Sequence, residues 1–204
     1  MAKDWTGNSK STYTTLGASN HTEQEREEND YYATDPKAID VLINECNVGL
    51  AEKIWEVSCG ELHMSKRLEE KGYKVRSSDL IDRLQDGSIE VKDFLKNEEK
   101  WDGDIVTNPP YKYAIEFIEK ALESVEEGHK VCMFLKVQFL ESTSRKKLFT
   151  KYPPKCVYVS SSRILCAKNG DFEYMRKHGG SAVAYAWYVW EKGYKGETLL
   201  KWVN

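Results

Sequence analysis

The spacing of apolar positions changes character several times along the chain, and each change marks an element. From Asp35, apolar residues at Ile39, Leu42 and Ile43 keep helical spacing, with Pro36 suited to a first helical turn. Short apolar or β-branched runs then recur at Lys53 to Val57, Tyr73 to Ser77, Ile89 to Val91, Asp104 to Thr107 and Lys130 to Leu135, and each predicts a strand. Helical segments separate most of them. The clearest carries Ala114, Phe117, Ile118, Ala121, Leu122 and Val125 on one face, which predicts an amphipathic helix from Ala114 to about Glu126. Strands alternating with helices imply a parallel sheet covered on both faces, whose ligands bind beyond the carboxyl ends of the strands.

After Pro153-Pro154 the alternation stops. Cys156 to Ser160 and Ala182 to Trp190 read as strands joined by a polar, basic, glycine-containing excursion in which no helix is evident. The second of these runs is almost wholly apolar or aromatic, as expected of a strand buried on both faces. Residues 1–29 are rich in Ser, Thr, Asn, Glu and Lys, and burial cannot offset the entropy of ordering them. They read as a flexible tail, or alternatively as a lid over the site, ahead of one domain spanning 30–204.

Composition adds bounds to this picture. A chain of 204 residues with 40% hydrophobic content supports one substantial core. The net charge of -3 hides an asymmetry, because residues 141–180 hold nine Lys/Arg against three Asp/Glu. That stretch is either a solvated surface or a face for a polyanion such as nucleic acid. Cys46, Cys59, Cys132, Cys156 and Cys166 show no paired spacing, so neither zinc nor disulfides are expected. His21, His63, His129 and His178 have no ligand or nucleophile-base spacing, and His63 reads as a helix-start residue. No apolar segment resembles a signal peptide or approaches the roughly 18 residues of a membrane span, which makes the cytosol the default.

The chemistry concentrates at Asn108-Pro109-Pro110-Tyr111, directly after the predicted strand Asp104 to Thr107. Asn108 and Pro109 each precede a proline, whose ring drives them into extended geometry. The Asn108 side-chain oxygen and the Pro109 carbonyl then become two acceptors that can hold one planar NH2 group, and Tyr111 offers a flat face beside it. An exocyclic amine is a poor nucleophile, since its lone pair is delocalised. Paired acceptors return density to nitrogen and stabilise the charge that develops when a methyl group arrives, without a strong base.

At this point the residues resemble a known family, the S-adenosylmethionine-dependent amino methyltransferases, and within it the small N6-adenine DNA methyltransferases of phages and prophages. The likeness covers roughly residues 30–191. Asn108 to Tyr111 is similar to the catalytic motif, and Glu56-Val57-Ser58-Cys59-Gly60-Glu61-Leu62 to the first cofactor motif, although Ser58 and Leu62 stand where small residues or glycines are usual. Tyr31 to Pro36 resembles the segment meeting the methionine end of the donor, with Asp35 inserted after Thr34. The resemblance implies a Rossmann-like class I fold: a mostly parallel seven-stranded sheet with a C-terminal antiparallel strand and helices on both faces. It implies S-adenosylmethionine as cofactor, held by Tyr32, Thr34, Glu56, Ser58, Cys59, Gly60 and Asn108. Asp79, with Asp82 as a rival, would take the ribose hydroxyls, and Asp93-Phe94 the adenine. No metal is implied.

Asn-Pro-Pro-Tyr also serves enzymes that methylate RNA base amines or protein glutamine. The Tyr31 to Pro36 segment, the Glu-x-x-Cys-Gly form of the donor motif and the aromatic final strand favour a flipped adenine in DNA. Arg145, Lys146, Lys147, Arg163 and Lys168 are the candidate nucleic-acid contacts, most of them to phosphates. A nucleic-acid-binding module that lost its donor site through Ser58 and Leu62 is the alternative of another class.

Overall fold

A computed structural model of the chain describes residues 32–167, 170, 172–177 and 183–204. The tail expected over 1–29 and Lys168 lie outside the described residues. In chain order the elements are β1 (Ala33–Thr34), α1 (Lys37–Asp40) running on as a π-helical turn (Val41–Glu45), β2 (Lys53–Glu56), α2 (His63–Glu70), β3 (Lys74–Asp79) and β4 (Glu90–Val91). Then come β5 (Asp104–Thr107), α3 (Ala114–Ser124), β6 (Lys130–Lys136), α4 (Thr143–Lys151), β7 (Cys156–Ser160), β8 (Cys166–Ala167), α5 (Phe172–Lys177), β9 (Tyr185–Glu191) and β10 (Leu199–Val203).

Eight strands form one sheet in the order β10-β7-β9-β6-β5-β2-β3-β4. All pairings are parallel except those of β9, which runs antiparallel to both β6 and β7. The chain starts the sheet at β2, builds outward through β3 and β4, then returns to β5 on the other side of β2. That reversal creates a crevice at the carboxyl ends of β2 and β5.

The period of two along each strand divides the core into two layers. In β6, Val131, Met133 and Leu135 join α3 residues Phe117, Ile118 and Leu122 on one face. Cys132 and Phe134 join Ile39, Leu42, Met64 and Leu68 on the other. Helices therefore cover both faces, as expected. Tyr185 to Trp190 are all buried, because β9 lies inside the sheet and not at its edge. All five cysteines are unpaired and buried.

Two features differ from the sequence reading and two others were not part of it. An eighth strand, β10, extends the sheet beyond β7, where seven strands were expected. The basic stretch contains the helix α4, whose Ser142 hydroxyl caps the Arg145 amide at 3.3 Å. The excursion read as lacking a helix contains α5. A separate two-stranded sheet pairs Ala33 with Ala167 and Thr34 with Cys166.

At the amino ends of the strands, Asp104 is fully buried and accepts from the backbone amides of Ala51 at 2.7 Å and Lys130 at 2.7 Å, with His129 Nδ1 at 3.2 Å. One carboxylate thus ties the approaches to β2 and β6 to β5. Asp104→Ala strands two amide donors in the interior and is expected to lower unfolding stability by about 3 kcal/mol or more, read from urea denaturation.

Candidate functional site

The cleft at the switch between β2 and β5 has an empty volume of about 530 Å³, its open mouth included. Tyr32, Thr34, Glu56, Ser58, Cys59, Asp79 and the whole Asn108-Pro109-Pro110-Tyr111 stretch line it. Ten residues singled out from the sequence thus converge from four separate segments of the chain.

Asn108 leaves β5 at the cleft. Its Nδ2 donates to Thr34 Oγ1 at 2.8 Å and lies 3.9 Å from Cys166 Sγ. Thr34 is itself 4% exposed and held by its pairing with Cys166 across the small sheet. With the amide nitrogen committed, Oδ1 is the atom left over, and it is buried without a hydrogen-bond partner among the described residues. The Pro110 carbonyl accepts from the Tyr113 amide at 2.9 Å, while among the described residues no backbone amide reaches the Pro109 carbonyl. The two acceptors that the motif was read to offer are the ones left unused.

Tyr111 opens the 3-10 turn Tyr111–Tyr113 and sends its hydroxyl inward, 3.8 Å from Cys166 Sγ, with the Tyr185 ring 6.4 Å away. Burial pushes its phenol well above the ordinary value of 10, so it remains a neutral donor. One face is not open as expected, because the Lys136 ammonium stands 4.6 Å from the ring centroid.

The other half of the cleft is the loop after β2. Gly60 takes a positive φ of 55°, and its amide donates to Asp79 Oδ2 at 2.9 Å, while the Cys59 amide donates to the Ser78 carbonyl at 3.0 Å. These bonds hold the loop against the end of β3. Leu62 also lies in the left-handed region, at φ 66° and ψ 21°, which costs an L-residue roughly 1–2 kcal/mol. It is 7% exposed, packs with Cys59 and Ile89, and does not line the cleft. Burial worth roughly 1.5–3 kcal/mol offsets that strain. Ser58 has a role its departure from the motif did not suggest: its hydroxyl meets Thr107 Oγ1 at 2.7 Å and Asn108 O at 3.2 Å, joining the β2 loop to the loop that carries Asn108.

Asp79 and Asp82 separate clearly. Asp79 lines the cleft, and its carboxylate keeps lone pairs free beyond those facing the Gly60 and Ile81 amides. Asp82 is spent on the amides of Leu84, Gln85 and Gly87 in the following turn. Asp93 and Phe94 do not line the cleft. Asp93 accepts from the Leu95 amide and pairs with Lys96, and Phe94 is 2% exposed in the core, edge-on to Trp55 at 5.4 Å. Their place in the fold comes from capping and packing.

Asp35 accepts from the Lys37 amide at 3.0 Å and pairs with Arg176 of α5 at 2.6 Å, so the inserted acid clips the C-terminal excursion to the rim. Ala33, His63, Met64 and Arg83 also line the cleft and were not anticipated as site residues. For His63 the available signal was its place three residues past Gly60; it does start α2, with its ring 5.5 Å from Phe172.

The basic candidates behave differently from one another. Arg145 directs Nη1 to the carbonyls of Gln138 at 2.6 Å and Glu141 at 2.5 Å, with its guanidinium over Phe139, so much of its donor capacity is structural. Lys146, Lys147 and Arg163 are exposed. Among the described residues no group of three or more His, Cys, Asp or Glu is arranged to hold a metal, and no helix is long and apolar enough to cross a membrane.

No family model matches the sequence, and no curated protein matches it either. Solved structures do resemble it. A Listeria monocytogenes protein described as a class I S-adenosylmethionine-dependent methyltransferase aligns with a TM-score of 0.58 at 15% identity, over 94% of this chain and 70% of that one. A Pyrococcus horikoshii protein described as an RNA methyltransferase gives 0.58 at 12% identity, over 90% of this chain and 97% of that one. A Vibrio vulnificus protein described as a modification subunit of a type I restriction enzyme gives 0.53 at 12% identity, over 93% of this chain and 49% of that one. The fold is therefore the Rossmann-like fold of class I methyltransferases.

Glu56 supplies a prediction independent of any ligand. It is 1% exposed, and burial pushes its carboxyl from the ordinary 4.5 up to about 8, although the Ser65 hydroxyl bonds to Oε2 and favours the charged form. The folded state thus binds this proton more tightly than the unfolded state. The stability it contributes is fully present below pH 4.5 and is lost as pH rises towards 8. Glu56→Gln removes the dependence, so urea midpoints of the wild type should fall relative to the variant between those pH values.

Proposed function

We propose that the chain is a methyltransferase that uses S-adenosylmethionine to methylate the N6 amine of adenine in DNA. The observation that carries this reading is the buried Asn108 Oδ1, left without a hydrogen-bond partner at the cleft while Nδ2 is committed to Thr34. A buried acceptor of this kind costs about 1–3 kcal/mol unless something donates to it, and an exocyclic amine donates well. The Pro109 carbonyl accepts a hydrogen bond from the second N–H of the amine.

The donor supplies an electrophilic methyl group on a sulfonium. Asp79, at the end of β3, accepts from the ribose hydroxyls with the lone pairs its backbone contacts leave free. Gly60 lets the backbone approach closely, and Tyr32, Thr34, Ser58 and Cys59 complete the donor wall. Glu56, close to Asp79 and forced up in pKa by burial, becomes easier to ionise when a cationic group lies alongside. Leu62, turned away into its own apolar cluster, leaves the cleft clear, which supports an enzyme over a binding module with a degenerate donor site.

Asn108 and Pro109 hold the amine in line with the methyl group, and Tyr111 flanks the base. Base extrusion from a duplex costs a few kcal/mol, of which stacking returns roughly 1–3. Neighbours of the same fold are described both as a restriction modification subunit and as an RNA methyltransferase, so the choice of adenine in DNA rests on this chain's motifs. Nucleoside and peptide mass spectrometry of DNA, RNA and glutamine peptides incubated with donor separates the three substrates.

Asn108→Ala should cut methyl incorporation about a hundredfold or more while donor affinity persists; retained turnover would remove Asn108 from its role. Asp79→Ala should act on the other half, weakening donor binding by tenfold or more in calorimetry, as roughly 1.5–3 kcal/mol per charge-assisted bond requires. Unchanged affinity there would sink the ribose assignment.

A further inference from the structure

Lys136 ends β6 at the same edge of the sheet as the amine-holding loop: Met133, three residues before it, pairs with Thr107, which directly precedes Asn108. Its ammonium stands 4.6 Å from the centroid of the Tyr111 ring. The residue is half-buried, and among the described residues no carboxylate pairs with it. Lys53, Lys74, Lys92, Lys151 and Lys155 each bridge an acid by contrast. A cation held against a π face is attracted to it more weakly than to a full anion. Lys136 is thus a partly desolvated charge beside the reacting centre with most of its pairing capacity in reserve.

We propose that Lys136 binds the phosphodiester next to the target nucleotide and so makes the amine pocket select a nucleic-acid strand over a protein amide. The proposal rests on the amine-methylation reading above. Every nucleotide in a strand carries phosphate on its own backbone, and a base turned into the pocket brings that charge to the rim. A glutamine side chain brings none, and laying a neutral peptide over Lys136 would bury its charge without compensation. Lysine suits the task, as a compact charge with three donors on a flexible stem, able to leave the Tyr111 face as the base arrives. Arg145, a stronger candidate by sequence, has its guanidinium tied to carbonyls and is poorly placed to do the same.

The test uses the full chain, a short oligo(dA) strand, and the same strand carrying neutral methylphosphonate linkages. Lys136→Gln should weaken binding of the phosphodiester strand on the order of tenfold at low salt, the contribution of one charge-assisted hydrogen bond. The slope of log affinity against log salt should fall by about 0.7, and Lys136→Arg should restore most of both. The neutral strand should bind wild type and Lys136→Gln alike, and donor affinity should be unchanged in all variants. Equal effects of the substitution on both strands, an unchanged salt slope, or a parallel loss of donor affinity would each overturn the role of Lys136 alone, since wild-type methylation of the strand would still stand. A wild type that methylates glutamine peptides and leaves the strand untouched would overturn the adenine reading, and this proposal with it.

Discussion

One hydrogen bond across 74 residues of sequence, from Asn108 Nδ2 to Thr34 Oγ1, sets the character of the cleft. An asparagine amide can present either end to a neighbour, and only its oxygen end accepts a hydrogen bond. Here Thr34 Oγ1 accepts from the nitrogen end, and Cys166 Sγ stands on the same side. The position of Thr34 depends on a two-residue ladder with Cys166 and Ala167, which in turn brings the C-terminal excursion over the cleft. The surroundings of a single side chain are therefore built by segments far apart in the chain, and the parallel sheet between them supplies the frame on which they meet.

A second link joins the halves of the cleft. Ser58 reaches across from the β2 loop to Thr107 and to the backbone of Asn108, while Asp79 anchors the same loop from the opposite side through Gly60. The loop is thus strung between two neighbouring strands of the sheet. The left-handed backbone at Leu62 is tolerated because the side chain gains a buried place among Cys59 and Ile89, so local strain is offset by packing a few ångströms from the cleft and not within it.

Much of this was legible in the sequence, for identifiable reasons. Strands Asp104 to Thr107 and Cys156 to Ser160 match their expected limits, since short apolar runs bounded by polar residues leave little choice of register. Asn108 to Tyr111 announced itself because two prolines restrict the backbone regardless of context. Other features depend on tertiary placement that no local pattern encodes. β10 escaped notice because Leu199, Leu200 and Trp202 are exposed even when paired, so no burial pattern marks the strand. Phe94 satisfies the form of a cofactor contact yet lies in the core, where an aromatic ring gains more by packing against Trp55. The basic count over 141–180 could not reveal that Arg145 closes a turn, or that Lys136, whose ammonium faces the Tyr111 ring, stands outside that stretch.

β9 is the late arrival in the sheet. It lies between β6 and β7, both earlier in the chain, and those two strands are not paired with each other. Until the chain has passed Tyr185, β6 therefore presents an unpaired apolar edge, and β7 has no route into the sheet. The long separation between these partners places sheet closure under the slow, non-local part of folding, with an exposed edge that invites pairing with other chains meanwhile. Because Lys136 and Tyr185 are partners in that final ladder, the rim of the cleft is completed by the same event. The strand that closes the sheet thus also supplies part of the rim of the cleft.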